Sequence, residues 1–566
     1  MKRLAVILSL LAAACAPRPA TAPVAATRAI VTAADIRAAE AGRTILRQGG
    51  SAMDAIAATL LALTVVEPQS SGIGGGGFLV YQDARAKGPA TFDGRETAPL
   101  AVTPTLFIKP DGTPQTGSEA APGGRSVGVP GNLAMLALAH QRYGRLPWAA
   151  LFAPAIALAE GGYVVSPRMA AAIAAKREVL SRTPAAAGLY LNPDGSAKTA
   201  GSRIINPALA ATLRLVATDG PAAFYGGPVA ADMVRTVATA PTNPSTMTAD
   251  DIARYRAKER PPACVAYRVW RVCGMGPPSG GGIAVAAILK QLEGFDLAAL
   301  GPDNPTAWHL LAESERLAFA DRDAYLADAD FANVPVAGLL DASYLKGRGS
   351  LIRADRSMPS VAAGVPNAAP RRTLGTGAEV PATTHFAAAD AFGNVASLTS
   401  TVEGGFGSGL VSGGFILNNE LTDFNFVPKA GAESVANRVE PGKRPRSSMS
   451  PTLVYDRAGR VVLAIGAAGG PTIPAQVAKS IVAVLDWKLS VADAIALPVI
   501  MTYGDRVLIE KGPQGQRLAA MQPALEALGH PVVITGLPYK ANGIERTGNG
   551  WRGGADPRSE GVSLGL

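Results

Sequence analysis

The spacing of apolar residues changes period several times along this chain, and each change marks an element. Apolar side chains recur at helical spacing over 34–48, and Gly49-Gly50 stops the run. Ser51 and Asp54 stand at capping-box spacing and open a helix reaching about Val66, which Glu67-Pro68 ends. Alternation then predicts strands over 77–82 and 90–92. Helical spacing returns over 129–160, 168–178, 205–218 and 228–238, and 308–325 reads as a long amphipathic helix. The stretch 354–382 is rich in Ala, Pro, Gly and Arg without periodicity and reads as a mobile loop. Strands dominate 383–424 and 452–467. Helices near 473–487 and 491–497 and a strand near 507–510 follow. No tandem repeat is visible. Strand-rich and helix-rich blocks in this mixture suit sheets sandwiched between helix layers.

Composition removes several functional classes. With 566 residues, 48% apolar and 17% charged, the chain can bury a large core, and no Pro/Ser linker or charge run divides it. The net charge of +9 reads as a basic surface, and the densest basic cluster along the chain is Lys443-Arg444-Pro445-Arg446. No binding motif or aromatic interleaving accompanies it, so nucleic acid is not an expected partner. The histidines are His140, His309, His385 and His530. None stands at metal-ligand spacing from another, so no metal is expected. The glycines at 74–77 lack the Gly-Lys-Ser/Thr of a phosphate loop.

The first residues read as a targeting segment. Lys2 and Arg3 precede an apolar run over 5–14 that is too short to span a bilayer. Ala12-Ala13-Ala14-Cys15 resembles a bacterial lipobox, although Ala12 stands where Leu is usual. Residues 1–14 are then a signal peptide, Cys15 a lipidation site and 15–27 a tether. The alternative is ordinary signal-peptidase cleavage near Ala14 or Ala16. Either way the protein is exported to the periplasm, and membrane contact comes only through the lipid. Export implies an oxidising compartment. A two-residue turn at Arg268-Val269 would set Cys264 opposite Cys273 on a non-hydrogen-bonded pair, close enough to bridge. Two buried thiols are the alternative.

The most informative stretch is 383–424. Thr383 and Thr384 start a strand in which Phe386, Ala388, Val395, Ser397 and Thr399 alternate around a turn at Gly393-Asn394. A Thr pair on a strand is usually β-propensity alone. A Thr hydroxyl is a nucleophile only with a base beside it. Cutting the chain before Thr383 would supply one, since a free α-amine has a pKa of about 7.7–8.0. Amine and Oγ would sit pre-oriented on one residue.

This segment is similar to the start of the small subunit of γ-glutamyltransferases (glutathione hydrolases), members of the N-terminal nucleophile hydrolases. Other blocks follow in family order. The run from Glu67 to Phe78 resembles the glycine-rich signature, and Arg95-Glu96-Thr97-Ala98-Pro99 the substrate-arginine motif. The segments 443–452 and 466–470, and Asp556-Pro557-Arg558 near the end, match further blocks. The turn cluster 276–282 is close to another, with Gly276 and Gly280 in place of Pro and Ser.

The resemblance implies a four-layer αββα sandwich of α/β class. It also implies a large subunit, 28–382, and a small catalytic subunit, 383–566, interwoven as a heterodimer after self-cleavage between Ala382 and Thr383. Thr383 Oγ would then attack a γ-glutamyl amide, and water, an amino acid or a peptide would take the acyl group. Gly469 and Gly470 match the oxyanion hole, and Thr401 the second threonine that supports the nucleophile. Arg95, Ser447 and Ser448 match the groups for the substrate α-carboxylate. Glu403, Glu420 and Asp423 match those for its α-ammonium. The implied partner is a small glutathione-like molecule, and no cofactor is called for. His385 reads as a packed strand residue.

One departure stands out. Between Asp423 and Ser447 the chain is shorter than well-known bacterial members and carries no Tyr, so a lid there is expected to be short. Three readings remain open: a γ-glutamyltransferase, a related amidase acting on β-lactam side chains or poly-γ-glutamate, and an uncut binding protein. Three clustered acids favour the first, because a glutaryl side chain has no α-ammonium for them to hold.

Overall fold

The strands that carry the Thr pair are buried on both faces, and this arranges everything around them. In the computed structural model, which describes residues 26–370, 382–431 and 433–566, Ala382–Ala389 and Val395–Glu403 form an antiparallel hairpin. Thr401 lies opposite Thr383. The expected signal peptide, Cys15 and most of the tether lie outside the described residues, as does the 371–381 part of the expected loop.

The hairpin is central in a seven-stranded antiparallel sheet. The order is Val562–Gly565, Ile30–Ala33, Ala382–Ala389, Val395–Glu403, Gly76–Gln82, Ala90–Asp93 and Lys258–Arg260. A six-stranded antiparallel sheet packs on it, in the order Gly550–Ala555, Lys540–Thr547, Val461–Ala468, Thr452–Tyr455, Trp270–Gly274 and Ala263–Tyr267. Val80, Ala387, Val395, Leu453, Tyr455, Ala464 and Ile544 fill the space between the two. The helices Ile36–Arg47 and Ala52–Val66 cover the outer face of the first sheet. Gly281–Gln291, Pro305–Tyr325 and Ile473–Leu485 cover the second. The result is four layers, αββα. Each sheet draws strands from both sides of Thr383, so cutting there would leave two fragments sharing one core.

Local chemistry set several of these elements correctly. Ser51 and Asp54 form the capping box, with the Ser51 hydroxyl accepting from the Asp54 N–H. The helical stretch 129–160 is two helices, Asn132–Tyr143 and Ala153–Gly161, because Gly144 and Pro147 interrupt it. Pro305–Tyr325 is not amphipathic. It is buried almost all round, including Glu313, Glu315, Arg316, Asp321 and Arg322, because an outer loop and the 500–530 region cover its far side. Cys264 and Cys273 pair in register at the edge of the second sheet and are joined by a disulfide, with Cα atoms 4.1 Å apart. Arg268 takes a φ of +54° at the turn between them.

Two histidines bridge the regions before and after Thr383. His309 on the long helix and His530 near the helix Gln522–Ala527 place ring nitrogens 2.6 Å apart. The other His309 nitrogen faces the Arg353 carbonyl at 2.6 Å. Glu313 lies 3.9 Å from His530 but is itself held by Arg316. Burial, with His309 and Arg316 adding to it, pushes His530 down to about 4. Burial pushes His385, whose Nδ1 meets Thr399 Oγ1 at 2.8 Å, down to about 3. Both fall below the ordinary value of about 6.5. As pH drops through that value the unfolded chain takes up protons that the folded chain refuses. This contribution is therefore complete above about pH 6.5 and is lost as pH falls toward 4. The thermal midpoint should decline across that window, and His530→Gln should flatten the decline. Superimposable midpoint profiles for the two proteins would remove His530 as the cause.

Candidate active site

Thr383 is second in its strand and 5% exposed. Its hydroxyl donates to Thr401 Oγ1 at 3.3 Å. Thr401 Oγ1 in turn donates to the carbonyl of Ala382 at 2.6 Å and accepts from the Glu403 N–H at 2.8 Å. The hydroxyl chain thus ends on the carbonyl of the peptide bond that precedes Thr383. A donor on that oxygen favours attack by Thr383 Oγ on its own upstream carbonyl carbon. The glycine-rich run makes this approach feasible. A Cβ on Gly75 would sit 1.9 Å from the Thr401 carbonyl oxygen, so only glycine lets the neighbouring strand come this close.

Directly after Thr401 the register shifts, and Glu403 adopts a φ of +75°. Such bulges re-aim side chains. Glu403 lines the same cavity as Glu420 and Asp423, which sit on the 3-10 turn Glu420–Asp423. Carboxyl oxygens of the three acids lie within 4.8 Å of one another. The cation among them is Arg95. Its Nη1 pairs with Glu420 and its Nη2 with Asp423, while Nε and Nη2 also donate to the carbonyls of Pro445 and Arg446 at 3.1 and 2.8 Å. The sequence alone suggested that Arg95 would await a substrate carboxylate. In the uncut chain it instead holds the two acids expected to hold the substrate ammonium, because a fully buried guanidinium needs counter-charge.

Glu96 is a further acid here that the site reading missed, although it is next to Arg95 in the same motif. It is fully buried, 3.9 Å from Arg95. Burial pushes Glu96 up to about 7, and burial, with Glu96 and Asp423 adding to it and Arg95 opposing, pushes Glu420 well up. Arg95 thus sits among four acids, Glu96, Glu403, Glu420 and Asp423.

Ser447 and Ser448 close the cavity on the opposite side. The 276–282 turn cluster positions them: the Ser447 N–H donates to the Pro278 carbonyl at 3.1 Å, and the Gly280 N–H donates to the Ser447 carbonyl at 2.7 Å. Gly469 and Gly470 lead into the helix Ile473–Leu485 with φ of +132° and +57°. A Cβ on Gly469 would meet the Pro538 carbonyl and Thr472 Oγ1 at 2.3 Å.

Thr383 borders two cavities. The small one, about 10 Å³, holds Arg95, the three acids, both serines and Gly470. The larger, about 480 Å³, holds Gly469, Gln69, Ser70, Arg168, Lys511 and Lys540. Lys540 pairs with buried Glu67, and burial pushes it down to about 8. Every expected site residue among those described therefore converges on Thr383, except Cys264 and Cys273, which lie at a distant sheet edge.

The description Gamma-glutamyltranspeptidase covers residues 38–566. A glutathione hydrolase proenzyme from Bacillus subtilis (strain 168) is 35% identical over 552 residues, spanning 95% of this chain and 91% of that protein. An acylase ACY 1 proenzyme from Pseudomonas sp. (strain V22) is 35% identical over 94% of this chain and 90% of its own. Among solved structures, cephalosporin acylase from Bacillus halodurans matches at a TM-score of 0.85 and 27% identity over 99% of both chains. The gamma-glutamyltranspeptidase of Helicobacter pylori matches at 0.55 and 33% identity over 61% of this chain and 95% of that one. Taken with the shared αββα layers, a match over nearly the whole length shows that this chain belongs to the gamma-glutamyltranspeptidase family.

Proposed function

We propose that this protein is a self-processing enzyme that cleaves γ-glutamyl amides and passes the acyl group to water or to an amino acid or peptide. The observation that carries this is the hydroxyl chain from Thr383 through Thr401 to the Ala382 carbonyl, set against a buried arginine–acid cluster. In the first step Thr383 Oγ bonds to the Ala382 carbonyl carbon while the peptide C–N bond breaks, giving an ester and a free α-amine. Water hydrolyses the ester, and Thr383 becomes the first residue of the fragment Thr383–Leu566.

In turnover the α-amine takes the Oγ proton as Oγ attacks the γ-carbonyl. The N–H groups of Gly469 and Gly470 receive the oxyanion, a contribution of about 2.7–4 kcal/mol per donor. The leaving amine departs on the side of the larger cavity, and water or an acceptor amine enters there. The zwitterionic head occupies the small cavity. Its ammonium takes over Glu420 and Asp423 with Glu403, and its carboxylate takes over Arg95 with Ser447 and Ser448. Exchange of one ion-pair set for another is what a cavity this small in the uncut chain demands.

Acylase relatives keep a second reading in view, in which the acyl group is a glutaryl-type side chain. Parallel assays with γ-glutamyl and glutaryl anilides, with intact-mass analysis, decide between them. We expect the γ-glutamyl donor to be preferred at least about tenfold, since a lost ion pair in a desolvated site costs more than one decade. A preference for the glutaryl donor would favour the acylase reading, and an uncut, inactive chain a binding protein. The same proposal includes export and lipidation at Cys15, supported by Lys2, Arg3 and the apolar run before Cys15 and by the Cys264–Cys273 disulfide.

A further inference from the structure

Arg322 lies deep in the long helix Pro305–Tyr325, far in sequence from every block discussed so far. Its side chain is 5% exposed. Nη1 donates to Asp323 Oδ1 at 2.8 Å, and Nη2 donates to Ser448 Oγ at 2.6 Å. Ser448 lines the small cavity beside Thr383 and Arg95. A helix on the outer layer thus reaches through to the wall of the acyl site.

A serine hydroxyl has one hydrogen and two acceptor positions, and it rotates to suit its neighbours. A guanidinium has donors only, so the 2.6 Å contact fixes Ser448 Oγ as the acceptor. The Ser448 hydrogen must then point away from Arg322. Ser447 is arranged alike, its Oγ accepting from the Met449 N–H at 3.2 Å. Among the described residues, neither hydroxyl donates to a protein acceptor. Two adjacent hydroxyls that each accept a bond from the protein and donate none to it keep their hydrogens for something else. A charge-assisted bond to the oxygen also polarises the O–H, making it a better donor.

We infer that Arg322 is a positioning residue for the acyl donor: it locks Ser448 so that the hydroxyl hydrogen is presented to an anionic oxygen in the small cavity. This rests on reading that cavity as the seat of the γ-glutamyl α-carboxylate. Arg322 touches no reacting atom. It acts through Ser448, so its loss should weaken donor binding and leave the chemical step nearly untouched.

The test is a double-variant cycle on the full-length, processed protein with γ-glutamyl anilide, separating KM from kcat. Arg322→Gln and Ser448→Ala should each raise KM about ten- to a hundredfold, with kcat within about threefold of wild type. The double variant should be no more than about threefold worse than Ser448→Ala alone, because residues acting through one contact are not additive. Losses that multiply in the double variant would overturn the inference, as would an Arg322→Gln protein with wild-type KM. A fall confined to kcat would overturn it too. Should Arg322→Gln fail to yield folded enzyme, Arg322→Lys carries the same cycle, keeping the charge and one donor direction. A wild type that ignores γ-glutamyl anilide overturns the functional reading itself, whereas an active wild type with multiplying losses overturns only the role of Arg322.

Discussion

Thr383→Ala should accumulate as one uncut chain and show γ-glutamyl turnover at least about four decades below wild type, the scale of loss when a covalent nucleophile is removed. Both effects have one cause. The hydroxyl that attacks the Ala382 carbonyl is the hydroxyl that would later carry the acyl group, and the α-amine that activates it exists only after the cut. Intact mass and a denaturing gel after long incubation read the first effect, and anilide release reads the second. Cleavage that persists in Thr383→Ala would place the nucleophile elsewhere. Thr401→Ala should behave differently, slowing processing by about two to three decades, as for the loss of one oxyanion donor. It should also slow turnover, since its hydroxyl meets Thr383 Oγ1 as well as the Ala382 carbonyl. Normal processing in Thr401→Ala would show that the 2.6 Å contact to Ala382 does not assist the cut.

Much of this site was legible in the sequence because its parts sit in dense local motifs. The Thr pair opens a strand, glycines mark close backbone approaches, and the Arg-Glu dipeptide heads a short conspicuous block. Residues 420 and 423 share one turn, so their acids had to act together. What the sequence concealed was the third dimension of the charge. Arg95 and the acids at 403, 420 and 423 were assigned to opposite ends of a substrate. In the folded, uncut chain they satisfy one another, since a buried guanidinium takes the nearest counter-charge available. Arg322 was invisible for a related reason. Its helix carries charges at positions that look solvent-facing along one chain, and only the layer packed over them shows that they point into the interior. The turn cluster at 276–282 was legible as close to a family block, but not that its carbonyl and N–H groups hold Ser447 in place. Regular elements follow from local spacing. Which polar groups end up sharing a cavity depends on sheet order, and here each sheet joins strands from before and after Thr383.

Asp423→Asn should lower kcat/KM for a γ-glutamyl donor by about two to four decades while leaving the Ala382–Thr383 cut intact. Breaking one half of a buried charge pair costs about 3–5 kcal/mol, and each decade of rate corresponds to about 1.36 kcal/mol. Processing should be spared because the hydroxyl chain it uses makes no hydrogen bond to Arg95 or Asp423. Asn is the right replacement, since it keeps the shape and an oxygen for Arg95 while removing the charge. Arg95→Ala is a poorer probe. It would leave Glu96, Glu403, Glu420 and Asp423 facing one another without their cation, so a lower thermal midpoint should accompany its loss of activity. Comparing donors isolates the ammonium. A glutaryl anilide has the distal carboxylate but no α-ammonium, so Asp423→Asn should cost it at least about tenfold less than it costs the γ-glutamyl donor. Equal losses on both donors would mean that Asp423 serves by holding Arg95 in place, and the three acids would no longer account for recognition of the substrate's positive charge.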